Sequence, residues 1–285
     1  MEPTEPMSHE VTRREALRRI PLATLLGLGL WPGARSARAA AGGEGFTFIV
    51  ANDLHHLNAE CDPWFEALVG QMNRHEDAAF ALLVGDLAET GQRGNLVAVR
   101  DHFARLRAPV YVQIGNHDYR TASDRTAYEE LFPDRINYVF RHAGWQFVGI
   151  DSTQGTEWQN TEVQPATLKW LDGTLPTLDA SRPTVLFTHF PMASDVSMAP
   201  RNADRVLERF LAFNLQGVFC GHWHGLTEHR FHDADVVTNV CCARSRDNHD
   251  GSKRKGYWLV QAEAGRLRRE FVEFRGPAPV DAITK

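Results

Sequence analysis

The sequence predicts an α/β fold in which two mixed sheets pack face to face and helices cover their outer faces. Short apolar runs alternate with amphipathic segments through most of the chain, a pattern typical of buried strands joined by crossover helices. After Gly225 the pattern shows strands alone. No repeat or linker interrupts residues 46–275, so we predict one domain with four layers in the order α/β/β/α.

The first half of this domain contains three predicted strands, at 46–51, 79–84 and 109–114. Asp62 and Pro63 mark the start of a helix, since Asp caps helix N-termini and Pro suits the first turn. Leu96, Val99 and Phe103 repeat at helical spacing and predict a second helix. This alternation of strands and helices predicts right-handed crossovers and a largely parallel sheet.

The second half adds two predicted helices and a larger number of strands. The helices cover residues 168–175 and 205–213, where leucine, valine and phenylalanine side chains share one face. The predicted strands are 136–141, 145–150, 184–188, 218–220, 227–231, 236–240, 256–261 and 267–274. A tight turn at Ala264 and Gly265 joins the last two strands.

Composition excludes some classes of function. The 285 residues are 43% hydrophobic and 24% charged, which suits a globular enzyme-sized domain. The net charge of −5 argues against a nucleic-acid partner, because such proteins are usually basic. A small phosphate substrate stays compatible with this charge if bound metals supply positive charge locally. The four cysteines show no Cys-x-x-Cys spacing, and we predict no structural disulfide.

Residues 1–39 have the layout of an export signal. Arg13 and Arg14 precede a mildly apolar stretch at 20–31, and small residues around Ala39 offer a cleavage site. The pair resembles the bacterial twin-arginine signal, although Ala16 stands where a large apolar residue is usual. A disordered basic tail is the alternative. The apolar stretch is too short to span a bilayer.

The predicted organisation is therefore an export signal at 1–39, a linker at 40–45, a catalytic domain at 46–275 and a flexible tail at 276–285. From the signal we expect contact with the export machinery, a periplasmic or secreted location, and no stable membrane anchor after cleavage.

Five polar blocks, each at the end of an apolar run, carry residues that bind metals. The blocks are Asp53-Leu54-His55, Gly85-Asp86, Gly115-Asn116-His117-Asp118, Thr188-His189-Phe190 and Gly221-His222-Trp223-His224. Ligands in α/β sheets lie outside the carboxyl ends of the strands, so we expect the blocks to form one site. Imidazole, amide and carboxylate ligands admit Mn, Fe or Zn. Two such ions about 3.5–4 Å apart can clamp a phosphoryl group and turn a shared water into an attacking hydroxide.

This ordered set resembles the calcineurin-like metallophosphoesterase superfamily over nearly all of the chain after the export signal. The resemblance implies the four-layer fold and a pair of divalent ions. It assigns Asp53, His55 and His224 to the first ion. Asn116, His189 and His222 are assigned to the second ion, and Asp86 bridges the two. It leaves His117 as a histidine that binds no metal and assists the leaving group.

The residues after Asp86 narrow the resemblance to one branch. Glu89 and Thr90 differ from the Asp-Arg pair of protein Ser/Thr phosphatases and from the iron-binding Tyr of purple acid phosphatases. The run from Gly85 to Arg120 looks most like the class III cyclic-nucleotide phosphodiesterases, a branch that includes glycerophosphodiesterases. Glu89 could orient His117 by a hydrogen bond, as the Asp does in other branches of the family. The alternative is that Glu89 is a solvated loop carboxylate.

Two further residues are candidates for contact with the substrate. Arg120 is a planar donor that suits phosphate, and its alternative roles are to cap a helix or to pair with Glu129. His56 directly follows a predicted ligand and is the second candidate. The charged segment 244–255 forms either a rim loop that shapes the pocket or a solvated hairpin end.

The sequence thus predicts a dinuclear metal-dependent phosphoric ester hydrolase that acts on a small phosphoester, with a leaning toward phosphodiesters. Its alternatives are a broad periplasmic phosphomonoesterase and a metal-binding protein without catalysis.

Overall fold

The apolar runs form two mixed sheets that pack against each other, each with helices on its other face. The structure is a computed structural model that describes residues 45–277. The predicted export signal, and most of the predicted linker and tail, lie outside this range.

The first sheet contains five strands from both ends of the described chain. These are β1 (Phe46–Ala51), β2 (Ala78–Val84), β3 (Val110–Gln113), β10 (Gly256–Glu263) and β11 (Arg266–Glu273). Their order is β11-β10-β1-β2-β3, with β1, β2 and β3 parallel and β10 antiparallel to both of its neighbours. Because β1 pairs with both β2 and β10, it lies in the middle of the sheet and is buried along its last four residues.

The second sheet has six strands. These are β4 (Tyr138–His142), β5 (Trp145–Ile150), β6 (Thr184–Thr188), β7 (Leu215–Cys220), β8 (Thr227–Phe231) and β9 (Ala234–Thr238). Their order is β4-β5-β6-β7-β9-β8, and the four inner strands are parallel. The carboxyl ends of β6 and β7 therefore meet at one edge, as those of β1 to β3 do in the first sheet.

Helices cover the outer face of each sheet. On the first sheet these are α1 (Asp62–Met72), α2 (Arg93–Phe103) and the short α3 (Thr126–Leu131). On the second sheet they are α4 (Pro165–Thr174) and α5 (Ala203–Glu208). Short 3-10 turns cover Ala59–Cys61, Asn116–Asp118 and Leu175–Thr177.

Aromatic side chains from both sheets fill the space between them. Phe48 and Phe80 of the first sheet stack with ring centroids 5.1 Å apart, and Phe147 of the second sheet meets Phe80 edge to face at 5.1 Å. This inter-sheet core, together with one helix-covered core on each outer side, confirms the predicted four-layer α/β/β/α fold.

Element boundaries differ from prediction at both strands and helices. Strand β7 starts at Leu215 and not at 218, and β9 covers Ala234–Thr238 and not 236–240. The helix predicted over 205–213 ends at Glu208, and the chain continues as turns that still place Phe210 and Phe213 against the core. Helix α3 is absent from the predicted elements, because its six residues bury only Tyr128 and show no extended apolar period.

Two further properties concern the described residues as a whole. Cys61, Cys220, Cys241 and Cys242 are all buried free thiols. No helix within residues 45–277 is long and apolar enough to cross a membrane.

Candidate dinuclear metal centre

Parallel strands of both sheets deliver the predicted ligands to one place. Asp53 and His55 follow β1, and Asp86 follows β2. The remaining four are Asn116 after β3, His189 after β6, and His222 and His224 after β7. All seven side chains are buried, with exposures between 0 and 6%. Polar groups so far from solvent need strong partners, which a metal ion would supply.

The backbone at this site is strained. Five of the seven predicted ligands have positive φ, namely Asp53 at 52°, His55 at 49°, Asp86 at 50°, His222 at 66° and His224 at 45°. Residues other than glycine adopt this region rarely, and such strain concentrates at functional sites. Here the sharp turns that follow the strands fold these side chains back toward one point.

Asp53, His55 and His224 form the first site. Their ligand atoms lie within 4.8 Å of one another. Nε2 of His224 is 3.0 Å from Oδ1 of Asp53 and 3.2 Å from Nε2 of His55. Ligands around a tetrahedral ion with bonds of about 2.0–2.1 Å stand roughly 3.3 Å apart, so these three atoms already have suitable spacing for one ion.

Asp86, His189 and His222 form the second site, and Asn116 lines the same cavity as Asp86 and His222. The first three also place their ligand atoms within 4.8 Å of one another. Oδ2 of Asp86 is 3.2 Å from Nε2 of His189 and 3.6 Å from Nε2 of His55, a ligand of the first site. Asp86 therefore lies between the two sites, where a bridging carboxylate would stand.

Two buried atoms at the second site lack a hydrogen bond. Oδ1 of Asn116 and Nε2 of His189 have no hydrogen-bond partner within residues 45–277, because the contact of His189 with Asp86 lacks hydrogen-bond geometry. A buried polar group without a partner costs about 1–3 kcal/mol. A cation in the second site would give Nε2 of His189 a partner, and Asn116 offers a further oxygen ligand at the same cavity, so the side chains that are present fit a metal pair.

Of the four ring nitrogens that face away from the two sites, three have a hydrogen-bond partner, and the fourth, on His55, lies close to a carboxylate without hydrogen-bond geometry. Nδ1 of His189 donates to the carbonyl of Val84 at 3.0 Å, and Nε2 of His222 donates to that of Trp158 at 2.7 Å. Nδ1 of His224 donates to Asp247 O at 3.1 Å, and Nδ1 of His55 lies 3.2 Å from Oε2 of Glu89. Such outer contacts fix the tautomer and the orientation of ligating histidines.

His56 lies outside this centre. Its Nε2 and that of His102 both lie 3.0 Å from Oδ1 of Asp62, and its ring packs edge to face on Phe65. The side chain is 3% exposed and points toward helices α1 and α2. The structure therefore places His56 in a packed His–Asp–His cluster, where it cannot reach the substrate as the sequence suggested. The Nδ1 atoms of His56 and His102 have no hydrogen-bond partner within residues 45–277.

The two sites open into a cavity of about 540 Å³. His117 lines it and is held at two points: its backbone N–H donates to Oδ1 of Asp86 at 2.9 Å, and Nδ1 donates to the carbonyl of Glu89 at 2.7 Å. Nε2 is then the ring nitrogen available to a bound molecule. The backbone carbonyl of Glu89 thus contacts His117, whereas the nearer oxygen of its carboxylate is 3.9 Å from the same nitrogen.

The Glu89 carboxylate instead pairs with Arg246, a residue that the sequence analysis did not single out. Nε of Arg246 donates to Oε2 of Glu89 at 2.9 Å, and a second bond joins Nη2 to Oε1. Burial opposes ionisation of Glu89, but the contacts with His55 and Arg246 prevail and lower its pKa to about 2. Arg246 lines the cavity together with His249, which makes the segment 244–255 part of the rim.

Arg120 stands at the mouth of the same cavity. Its side chain is 65% exposed, and its Nε donates to Oδ2 of Asp124 at 2.7 Å. Glu129, the alternative partner, pairs with Arg125. Arg120 is therefore tethered at the rim, with part of its guanidinium open to solvent.

Charges inside the centre shift the pKa values of its histidines. Burial alone would lower the pKa of His189, but the carboxylates of Asp86 and Asp53 raise it to about 9. Burial is likewise outweighed at His224, whose pKa rises to about 11 beside Asp53. Without metals, the protons held by these histidines thus balance the negative charge of the two buried carboxylates. A divalent ion would replace these protons, because ligating histidines are neutral.

Comparison with known proteins agrees with this geometry. The calcineurin-like phosphoesterase family profile matches residues 46–226, which contain all seven predicted ligands. The chain is 32% identical over 160 residues to a Rhodopseudomonas palustris protein named "Probable cyclic nucleotide phosphodiesterase", covering 50% of this chain and 57% of that one. It is 27% identical over 191 residues to a glycerophosphodiester phosphodiesterase of Enterobacter lignolyticus, covering 60% and 65%. The matches thus span less than two thirds of either relative.

A purple acid phosphatase from yellow lupin (Lupinus luteus) has a similar fold. Its TM-score is 0.59 at 11% identity, over 82% of this chain and 52% of that one. At this identity the likeness concerns the fold alone. The family match over most of the described chain, and the ligand groups that the sheets bring together, lead to one conclusion: the protein belongs to the calcineurin-like phosphoesterase family.

Proposed function

We propose that the protein is a dinuclear metal-dependent phosphoric ester hydrolase that prefers phosphodiesters. The observation that carries the proposal is the convergence of six buried predicted ligands into two adjoining groups, with Asp86 3.6 Å from His55 of the other group and the seventh ligand, Asn116, lining the same cavity. Two divalent ions, of Mn, Fe or Zn, would supply Lewis acidity that neutralises phosphoryl charge and makes water a competent nucleophile.

His117 assists the departure of the leaving group. Its Nδ1–H is committed to the carbonyl of Glu89, so Nε2 faces the cavity and carries the proton that passes to the leaving oxygen. General acid catalysis of this kind contributes typically about 10²–10⁴-fold to a rate. The hydrogen bond from the His117 backbone to Asp86 holds the acid at a fixed distance from the metal centre.

The shape of the cavity supports a diester. Trp158 and Met198 add apolar surface to the lining of the cavity, and Trp158 is 50% exposed. A phosphodiester has a second organic group that such a surface would cover, whereas a monoester has a second charge instead. Arg120 at the rim is placed to contact an outer substrate group. Both curated relatives are named as phosphodiesterases, which agrees with this preference.

Hydrolysis of bis(4-nitrophenyl) phosphate and 4-nitrophenyl phosphate tests the proposal, because the two substrates share one leaving group. We expect a larger kcat/KM for the diester with Mn²⁺ or Zn²⁺ loaded. A strong preference for the monoester contradicts the diester assignment and favours the phosphomonoesterase. Full metal occupancy without hydrolysis of either compound contradicts the hydrolase assignment.

We also propose that the protein is exported and acts in the periplasm or outside the cell. The support is the sequence of residues 1–39, with Arg13 and Arg14 ahead of the apolar stretch and the small residues near Ala39. Export in the folded state suits a protein that acquires metals before transport. The N-terminus of the protein in a periplasmic fraction tests this: we expect a start near residue 40, and an intact Met1 contradicts cleavage. Replacing both arginines by lysine should retain the protein in the cytoplasm.

A further inference from the structure

The rim loop, residues 244–255, is folded around one buried side chain. Nδ2 of Asn248 donates to the carbonyls of Ser252 at 3.0 Å and Arg254 at 2.7 Å, and its Oδ1 accepts from the backbone N–H of Cys241 at 3.0 Å. Asn248 is 6% exposed. Lys255 also donates to the carbonyl of Arg246. These bonds give the loop a defined shape, so that contacts made by it are fixed in space.

The rim loop reaches two of the three first-site ligands. The carbonyl of Asp247 accepts from Nδ1 of His224 at 3.1 Å, and the backbone N–H of His249 donates to the carbonyl of His224 at 3.0 Å. The guanidinium of Arg246 donates two hydrogen bonds to the carboxylate of Glu89. Oε2 of that carboxylate lies 3.2 Å from Nδ1 of His55.

The second-site histidines have other supports. His189 donates to Val84 at the end of β2, and His222 donates to Trp158 in the connection between β5 and α4. Among the described residues, the outer ring nitrogens of these two histidines have no contact from the rim loop. The two sites therefore share Asp86 but differ in the element that orients their histidines.

We propose that the rim loop, through Arg246 and Asp247, positions the histidines of the first site and so sets the metal affinity of that site alone. This inference rests on the proposed dinuclear function. The planar fork of Arg246 allows Glu89 one orientation. A fixed carboxylate beside Nδ1 of His55 keeps the proton on that nitrogen and leaves Nε2 as the metal ligand. Arg246 is a positioning residue in this scheme, because it acts on the metal through Glu89 and His55.

Arg246→Ala in single-site backgrounds of the full-length protein tests the proposal. His189→Ala preserves all first-site ligands, and His224→Ala preserves all second-site ligands. Titration of each metal-free variant with Zn²⁺, and separately with Mn²⁺, followed by calorimetry, gives the affinity of the remaining site. Adding Arg246→Ala should weaken the first site by about 10–100-fold, the range typical of outer contacts, and change the second site by less than about twofold.

Two matched variants define what is specific to the guanidinium fork. Arg246→Lys keeps the charge but loses the bidentate geometry, so it should restore only part of the first-site affinity. Arg244→Ala removes another arginine of the same loop, which pairs with Glu60 at the surface, and should leave both affinities unchanged. Circular dichroism of each variant monitors the fold.

The outcomes separate this inference from the function on which it rests. If the unmodified protein binds fewer than two ions, the proposed function fails and the inference fails with it. If the protein binds two ions but Arg246→Ala weakens both sites equally, or neither, the inference alone is wrong. An increase in KM with unchanged metal affinity would make Arg246 a substrate contact and would also overturn it.

Discussion

Glu89 contacts His117 and His55 through two different groups. Its backbone carbonyl accepts a 2.7 Å hydrogen bond from Nδ1 of His117, while its carboxylate lies 3.2 Å from Nδ1 of His55. One residue thus orients both the proposed general acid and a proposed metal ligand. Because these contacts are separate, a change of the Glu89 side chain can disturb His55 without releasing His117.

Replacing His117 by alanine should reduce turnover and leave metal binding intact. His117 lines the cavity and is in neither ligand group. We expect kcat to fall about 10²–10⁴-fold for esters with poor leaving groups and much less for 4-nitrophenyl esters, which need no proton. A leaving-group series combined with metal analysis checks this. Loss of an ion from His117→Ala would show that the ring is a ligand and that its proposed role is wrong.

Asp86→Asn should weaken both ions together. Its carboxylate lies between the two sites, and an amide offers one neutral oxygen in place of two charged ones. We expect losses of affinity at both sites at least as large as the 10–100-fold typical of outer contacts. The matched control is Asp124→Asn, which alters an exposed carboxylate tied to Arg120 and should preserve both ions. Metal stoichiometry after gel filtration distinguishes the two variants. Loss of only one ion would contradict a bridging role.

Gly115→Ala should abolish the ordered second site. A Cβ at this position would overlap the carboxylate and backbone nitrogen of Asp86, so Asp86 must move. Gly70→Ala is the control, since a Cβ there meets nothing within 4 Å and the residue lies within the last turn of α1. The control should raise stability by about 0.5–1 kcal/mol, whereas Gly115→Ala should lower metal content and hydrolysis together. Equal metal content in both variants would contradict the close packing of Gly115 on Asp86.

The metal-free protein should lose stability as the pH rises from about 6.5 to 9. The pKa of His189 is raised to about 9 in the folded protein against a usual 6.5, so its contribution is fully present below 6.5. It declines as the proton leaves the folded state, up to about pH 9. Urea unfolding at pH 6, 7.5 and 9 measures this change, and His189→Ala should make it smaller, with the raised pKa of His224 accounting for part of what remains. Metal affinity should change in the opposite direction, because each ion displaces these protons. A metal-free stability that rises across this range would contradict the His189–Asp86 pairing.

Strand positions could be predicted because the apolar runs, and the polar blocks that follow them, can be recognised from the local sequence alone. The runs before Asp53, Asp86 and His189 all became strands, with bounds within about a residue of those predicted. The confirmed fold follows from these runs together with the rules for crossover connections.

Other features depend on contacts that no local pattern encodes. The pair of Glu89 with Arg246 joins loops that are distant in sequence, and charge alone did not single out Arg246 from its neighbours. His55 and His56 are adjacent, yet one faces the metal centre and the other packs toward Asp62. The left-handed backbone of His55 decides this difference, and the identity of a histidine does not reveal its φ angle.

The position of β10 has a consequence for the order in which the protein matures. β1, which leads into Asp53, has β10 as its neighbour on one side, and β10 begins only at Gly256. A nascent chain that has emerged only as far as the last ligand, His224, therefore has every metal-binding residue but only part of the sheet that holds them. Stable metal retention accordingly requires the chain through β10, and a chain truncated before Gly256 should fail to retain its ions even with all seven ligands present.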